Sequence, residues 1–213
     1  LLAHHGVSVS LNSKPLHLFL PALKHNRKVL VLGLSLNRSY KKKNIDAVKT
    51  YIKKGGSVLV LAEHDNFFKN ADMQNDLLQG FGIKVLQGRA LNKGKSLSES
   101  TWPRSNSKVL GIKDVYVYLP VALELKGRVR PFLELDNPAH MDKSIIGAVK
   151  KYGNGTMLVL GDAEIFWNMT RESGIRKGNN EHFLLHMFRF LTPKSRKKFA
   201  SKKKRTTKDT DVN

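Results

Sequence analysis

Two short polar segments carry the residues best suited to chemistry. Glu63-His64-Asp65-Asn66 follows one apolar run, and Asp162-Ala163-Glu164 follows another, with Trp167 and Asn168 just beyond. Carboxylates with an imidazole suit Mg²⁺, Mn²⁺ or Zn²⁺, or a general acid–base pair. If the two runs are parallel strands, their carboxyl ends share the edge of the sheet at which open α/β folds bind ligands.

On this interpretation the protein is a metal-assisted hydrolase, with Glu63, His64, Asp65 and Asp162 as its candidate catalytic residues. Their spacing matches no established metal motif. The alternative is that these side chains cap helices and hold loops, because an aspartate after a strand commonly accepts backbone N–H bonds in the turn. Both interpretations stay open, so a divalent metal cofactor is a hypothesis.

The other candidate residues give weaker signals. His182 and His186 have the i, i+4 spacing of a zinc pair, but the glutamate of the zincin pattern is absent between them. Trp102 lies near cations in a polar segment, where stacking on a base or sugar competes with a role in anchoring the loop. The sequence contains no cysteine, which excludes thiolate metal sites and a cysteine nucleophile.

The chain is strongly basic, with a formal net charge of +21. Residues 194–213 hold nine Lys or Arg and two Asp, a net charge of +7. Such a surface attracts nucleic acid, anionic lipid or acidic polysaccharide, and the alternative is a solvated face with a disordered tail. The basic residues assigned to an anionic partner are Lys197, Lys198, Lys202, Lys203, Lys204 and Arg205.

The elements that would position these residues begin with a strand–helix–strand pattern over residues 28–62. Residues 28–34 and 57–62 are apolar runs typical of strands buried on both faces of a parallel sheet. Between them, residues 44–54 have helical periodicity, with Asn44 as a cap and Gly55-Gly56 as the end. The pattern predicts a right-handed βαβ unit.

The rest of the chain predicts one α/β domain over residues 1–193. We expect a three-layer, flavodoxin-like or Rossmann-like fold with a mostly parallel sheet, a late β-hairpin and a C-terminal helix, followed by a disordered tail over 194–213. The further predicted elements are a strand at 6–10, a short irregular helix at 15–25, a helix at 73–81, a strand at 83–86, a polar excursion at 87–108, strands at 115–125 and 130–135, a hairpin of 145–152 and 156–161, and a helix capped by Asn180.

Three segments resemble class I glutamine-amidotransferase-like domains: residues 51–61, residues 75–83, and residues 152–162 with the helix that follows. The resemblance covers roughly residues 1–193 and is strongest to the non-catalytic branch, which holds membrane-tethered prokaryotic proteins and the amino-terminal domain of an intraflagellar-transport subunit. It implies that the first strand of the fold lies upstream of Leu1. Amidotransferase activity is not implied, because the enzymes of this group use a cysteine.

The resemblance favours a non-catalytic binding or scaffolding domain of a larger protein, associated with the cell envelope through regions outside this sequence. Its expected partners are an anionic surface and other domains of the same protein. The alternatives are the metal-assisted hydrolase and a nucleic-acid-binding accessory protein.

Overall fold

A mixed seven-stranded sheet forms the centre of the computed structural model, which describes residues 10–23, 29–33, 39–94, 102–167 and 174–192. The strands of this sheet are β1 (Val29–Leu32), β2 (Ser57–Leu61), β4 (Arg104–Ser107), β5 (Ile112–Tyr116), β7 (Arg130–Leu135), β8 (Ile145–Tyr152) and β9 (Gly155–Leu160). A separate two-stranded sheet contains β3 (Ile83–Val85) and β6 (Leu123–Leu125). The described helices are α1 (Leu16–Phe19), α2 (Lys42–Lys53), α3 (Asn70–Leu78) and α4 (Asn180–Leu191).

The strands of the main sheet lie in the order β1-β2-β9-β8-β7-β4-β5. Only the β1–β2 and β2–β9 pairs are parallel, and the remaining four pairs are antiparallel. The prediction of a mostly parallel sheet is therefore wrong. Parallel neighbours need a crossover of a dozen or more residues, whereas short turns such as the one between β8 and β9 allow only antiparallel pairing.

The strand–helix–strand unit of β1, α2 and β2 is confirmed. The predicted helix cap is wrong, because α2 begins at Lys42 and Lys41 holds the cap position without a side-chain bond. Asn44 instead accepts a hydrogen bond from the His17 backbone N–H at 3.3 Å. Its side chain thus fastens α1 to α2, a long-range role that the local pattern does not reveal.

Three further element boundaries differ from the prediction. The stretch 115–125 is divided between β5 and β6, which belong to different sheets, because residues 117–122 cross from one to the other. The polar excursion 87–108 contains β4, whose buried Ser105 and Ser107 hydroxyls donate to backbone carbonyls at 2.7 Å. The predicted helix at 73–81 begins earlier, at Asn70, and its last turn (Gln79–Phe81) is a 3-10 turn.

Helices pack on both faces of β2. Val58 and Val60 share one apolar cluster with Val48 and Ile52 of α2. Leu59 faces the other cluster, which holds the apolar face of α4. Because side chains alternate along a strand, this continuous apolar run supplies both cores at once.

The late hairpin and the last helix are confirmed, with a two-residue turn between Tyr152 and Gly155. Asn180 is not the helix cap that the sequence predicts, since Asn179 holds that position. Asn180 is fully buried and binds backbone groups of neighbouring segments. It accepts from the Tyr116 N–H at 2.8 Å and donates to the Tyr116 and Gly174 carbonyls, both at 2.7 Å.

Several sequence predictions fall outside the described residues. These are most of the strand predicted at 6–10, Asn168, and the whole basic tail. Within the part of the chain that the structure describes, no helix combines the length and the apolar character needed to span a bilayer.

The Asn180→Asp substitution tests the bridge from α4 to β5. It keeps the acceptor for the Tyr116 N–H but removes the donor of the two carbonyl bonds and buries a carboxyl. We expect the free energy of unfolding, measured by urea denaturation, to fall by roughly 3 kcal/mol. Asn179→Asp is the matched control, because Asn179 is exposed and makes one side-chain bond, to the Lys113 carbonyl at 3.0 Å. Equal losses in the two variants would contradict the assigned role.

Candidate functional site

The ends of β2 and β9 bring the two polar segments together. The strands are parallel neighbours with Leu61 opposite Leu160, and the Ala62 N–H continues the pairing by donating to the Leu160 carbonyl at 2.8 Å. Glu63 and Asp162 therefore leave the sheet at the same carboxyl edge, as the sequence predicts.

Three carboxyl groups meet at this edge, on Glu63, Asp162 and Glu164. Glu63 and Asp162 are almost fully buried, with 1% and 2% of their surface exposed. The Glu63 carboxyl accepts from the Ala163 N–H at 3.2 Å, and one of its oxygens lies within 4.8 Å of a carboxyl oxygen of Glu164. The nearby Glu164 carboxyl disfavours the ionised form of Glu63, because like charges repel.

Asp162 accepts two backbone hydrogen bonds. The Glu164 N–H donates to its Oδ1 at 2.7 Å, which closes the turn after β9. The Tyr118 N–H donates to its Oδ2 at 2.9 Å and attaches the segment that follows β5. These two bonds agree with the structural alternative stated for Asp162, because its carboxyl group holds the turn after β9 and the segment after β5.

Burial and nearby negative charge raise the pKa values of Glu63 and Asp162. Desolvation, followed by the hydrogen bond and negative charge of Glu164, raises the pKa of Glu63 to about 8. Desolvation also raises the pKa of Asp162, although the Tyr118 N–H favours its ionised form. At neutral pH the cluster therefore retains a proton, which makes it a candidate general acid.

His64 adds an imidazole to the cluster. Glu63, His64 and Glu164 each offer one ligand atom, and these atoms lie within 4.8 Å of one another. The Oε2 atom of Glu164 is buried and has no hydrogen-bond partner among the described residues. Two carboxylates and an imidazole are suitable ligands for Zn²⁺ or Mn²⁺.

Asp65 does not join the cluster. Its carboxylate lies 2.6 Å from the guanidinium of Arg89 and 3.2 Å from Nδ1 of His64, at a half-exposed position. Burial acts to raise the pKa of Asp65, but the bonds and charges of Arg89 and His64 outweigh it, and the net effect is a lower pKa. Asn66 lies apart too, because its side chain donates to Asp72 at 2.7 Å and accepts from the Asp72 N–H.

Sequence reasoning missed an aromatic ridge beside the carboxyl groups. The ring of Tyr118 lies 5.0 Å from that of Trp102, 5.6 Å from that of Trp167 and 6.4 Å from the His64 imidazole, between ring centroids. Trp167 is 43% exposed. The sequence gives no signal for this arrangement, because Tyr118 lies in a stretch that reads as a continuous strand.

Sequence reasoning also missed two amides of α3. The Asn70 side chain accepts from the Glu63 N–H at 3.1 Å, and the Gln74 side chain donates to the Leu61 carbonyl at 3.2 Å. Both residues are fully buried, so they fix the backbone where β2 ends. Their i, i+4 spacing on one helix face is the only sequence signal that was available.

Two solved structures show a similar fold. The mmIFT52 N-terminal domain has a TM-score of 0.60 and 18% identity, covering 78% of this chain and 77% of that domain. Cytoplasmic protein STM3548 from Salmonella typhimurium has a TM-score of 0.55 and 13% identity, covering 89% of this chain and 83% of that protein. The expected likeness to an intraflagellar-transport domain is confirmed as a likeness of fold. No protein-family model and no curated protein sequence matches the chain.

The Glu63→Gln substitution tests the proton that Glu63 holds at neutral pH. In the wild type, the unfolded chain loses this proton near pH 4.5 and the folded chain near pH 8. The free energy of unfolding therefore falls as the pH rises between these values, by on the order of a few kcal/mol. A glutamine cannot ionise, so we expect a shallower pH dependence and a more stable protein at about pH 8, measured by urea denaturation.

Asp65→Asn is the control for this pH series. The pKa of Asp65 is lowered, so its contribution to stability is lost only in acid, and the variant should keep the wild-type slope between about pH 5 and pH 8. An unchanged slope in Glu63→Gln would show that Glu63 ionises normally in the folded protein.

Proposed function

We propose that this chain is a non-catalytic binding or scaffolding domain of a larger, envelope-associated protein, and that its basic surface contacts an anionic partner. The observation that carries the proposal is where the chain leaves the fold. The Ser57 hydroxyl, at the start of β2, donates to the Leu191 carbonyl at the end of α4 at 2.5 Å. Leu191, close to the last described residue, therefore lies at the amino edge of the sheet, opposite the carboxyl cluster.

The amino edge is itself basic. Lys53 and Lys54 end α2 there and are both exposed. The Asn154 N–H donates to the Lys53 carbonyl at 3.1 Å, which places these lysines beside the turn between β8 and β9. Basic charge on the folded edge and in the following sequence would then act on the same polyanion.

We further propose that the fold is a divergent, three-layer flavodoxin-like member of the amidotransferase-like group, spanning residues 1–193. Support comes from the parallel β1-β2-β9 unit and from helices packed on both faces of β2. The antiparallel half of the sheet would be its point of divergence. Other domains of the same larger protein would be its further partners.

Binding to anionic vesicles tests the first proposal. We expect the chain to sediment with phosphatidylglycerol vesicles and not with phosphatidylcholine vesicles, and to bind more weakly as salt rises. Replacing Lys202, Lys203 and Lys204 together by glutamine should weaken binding at least about tenfold, since each basic residue near an anionic surface contributes about 1 kcal/mol.

The matched control replaces Lys41, Lys42 and Lys43 by glutamine. These three exposed lysines lie at the start of α2, at the other edge of the sheet. Equal weakening by the two triple substitutions would contradict a defined basic surface. Much tighter binding to duplex DNA than to vesicles would instead favour the nucleic-acid-binding alternative.

A metal-assisted hydrolase is the second candidate, favoured by the closeness of Glu63, His64 and Glu164. If the site binds Zn²⁺ or Mn²⁺, the metal should raise the midpoint of thermal unfolding by several degrees. Glu164→Gln should abolish the increase, whereas Asp65→Asn should retain it, because Asp65 pairs with Arg89. The absence of a shift with any divalent metal would leave the carboxyl cluster with a structural role alone.

A further inference from the structure

A cavity of about 410 Å³ lies where β7 begins and β8 ends. It is lined by Arg128, Arg130, Val149 and Lys151. Arg130 and Val149 are opposite each other in the antiparallel register. Lys151 follows Val149 by two residues, so it lies on the same face of the sheet. The β7–β8 pairing thus brings the basic side chains together at the amino edge, far from the carboxyl cluster.

The ionisable side chains that line this cavity are all positively charged. All three, Arg128, Arg130 and Lys151, are exposed. Elsewhere in the fold, Arg89 pairs with Asp65, and Arg104 with Asp114 and Asp136.

Within the described part of the chain, the side chains of Arg128 and Arg130 take part in no ion pair or hydrogen bond. Two guanidinium groups that line one cavity and make no ion pair repel each other, and a bound anion would reduce that repulsion.

The lining favours a particular kind of anion. Guanidinium groups match the oxygens of phosphate with paired N–H donors. A phosphomonoester carries a charge of about −1.5 to −2 at pH 7, which three basic groups are sufficient to balance. The cavity contains no aromatic side chain on which a nucleobase can stack. None of the large exposed apolar side chains of the described residues lines it either, so it offers no anchor in hydrocarbon.

We infer that Arg128, Arg130 and Lys151 form a binding site for a phosphomonoester or polyphosphate group, with Val149 as its apolar floor. This inference rests on the proposed function and places part of the anionic contact in the folded domain. Residues 194–213 carry a net charge of +7, which has the same sign as the charge of the site. Both would engage one multiply charged partner, which raises its effective concentration at the cavity.

Calorimetric titration of the full chain with pyrophosphate tests the site. Arg128→Ala and Arg130→Ala should each weaken pyrophosphate binding at least about tenfold, and Arg130→Lys should not restore it fully, because lysine lacks the paired donors. Arg176→Ala is the matched control, since Arg176 is exposed and lies near Trp167 at the carboxyl edge. It removes the same charge and should leave the affinity unchanged. Thermal unfolding of each variant verifies that the exposed substitutions leave the fold intact.

Two vesicle preparations of equal surface charge identify the source of the phosphate. Preference for phosphatidic acid over phosphatidylserine, lost in Arg130→Ala, would support a lipid headgroup. Pyrophosphate binding without that preference would support a free phosphate ligand at the same site.

The inference and the proposed function fail in different ways. Pyrophosphate affinity that is equal in the wild type and Arg130→Ala would overturn the site, while vesicle binding that depends on Lys202, Lys203 and Lys204 would still support the proposed function. Loss of pyrophosphate binding in Arg130→Ala without any vesicle binding would support the site and overturn the membrane contact. The absence of binding to every anion would overturn both.

Discussion

β2 and β9 lie side by side inside the sheet, each with a strand on both sides, and every residue of both strands is buried. Their approach depends on Gly155, where a Cβ atom would lie 2.1 Å from the Ile52 carbonyl oxygen and 2.3 Å from that of Gly56. Those contacts involve backbone on two sides, so the end of α2, the start of β2 and the start of β9 constrain one another. These constraints fix the parallel register of β2 and β9, and that register brings Glu63 and Asp162 together at the carboxyl edge of the sheet.

The carboxyl cluster and the basic cavity lie at opposite edges of the sheet. At the carboxyl edge, Glu63 and Asp162 are buried among backbone donors and aromatic rings, and their pKa values are raised. At the amino edge, Arg128 and Arg130 are exposed around an open cavity. Antiparallel pairing of β7 with β8 produces this separation, because it returns the chain from the carboxyl edge to the amino edge before β9 begins. Buried acids and exposed bases therefore do not neutralise each other.

Predictions from the sequence succeeded where a local pattern determines a local structure. The βαβ unit was predictable because residues 57–62 form a continuous apolar run, typical of a buried strand, whereas residues 44–54 have helical periodicity. The late hairpin was predictable because glycine and asparagine at residues 153–155 suit a tight turn between two apolar strands. Predictions failed for Asn44 and Asn180, whose side chains bind segments 27 and 64 residues away in sequence. An asparagine side chain can cap a helix or bind a distant backbone segment, so the residue type alone does not show which of the two roles it has.

The sequence by itself determined that Glu63 and Asp162 follow buried strands, because residues adjacent in the chain stay adjacent in the fold. Only the tertiary structure decided that Glu164, and not Asp65, meets Glu63. Asp65 has a left-handed backbone with φ of 51°, which carries its side chain towards Arg89. The cavity at Arg130 was equally hidden, since it depends on the register between two strands. Side-chain direction and strand register arise from packing across the whole sheet, and no local run of residues contains them.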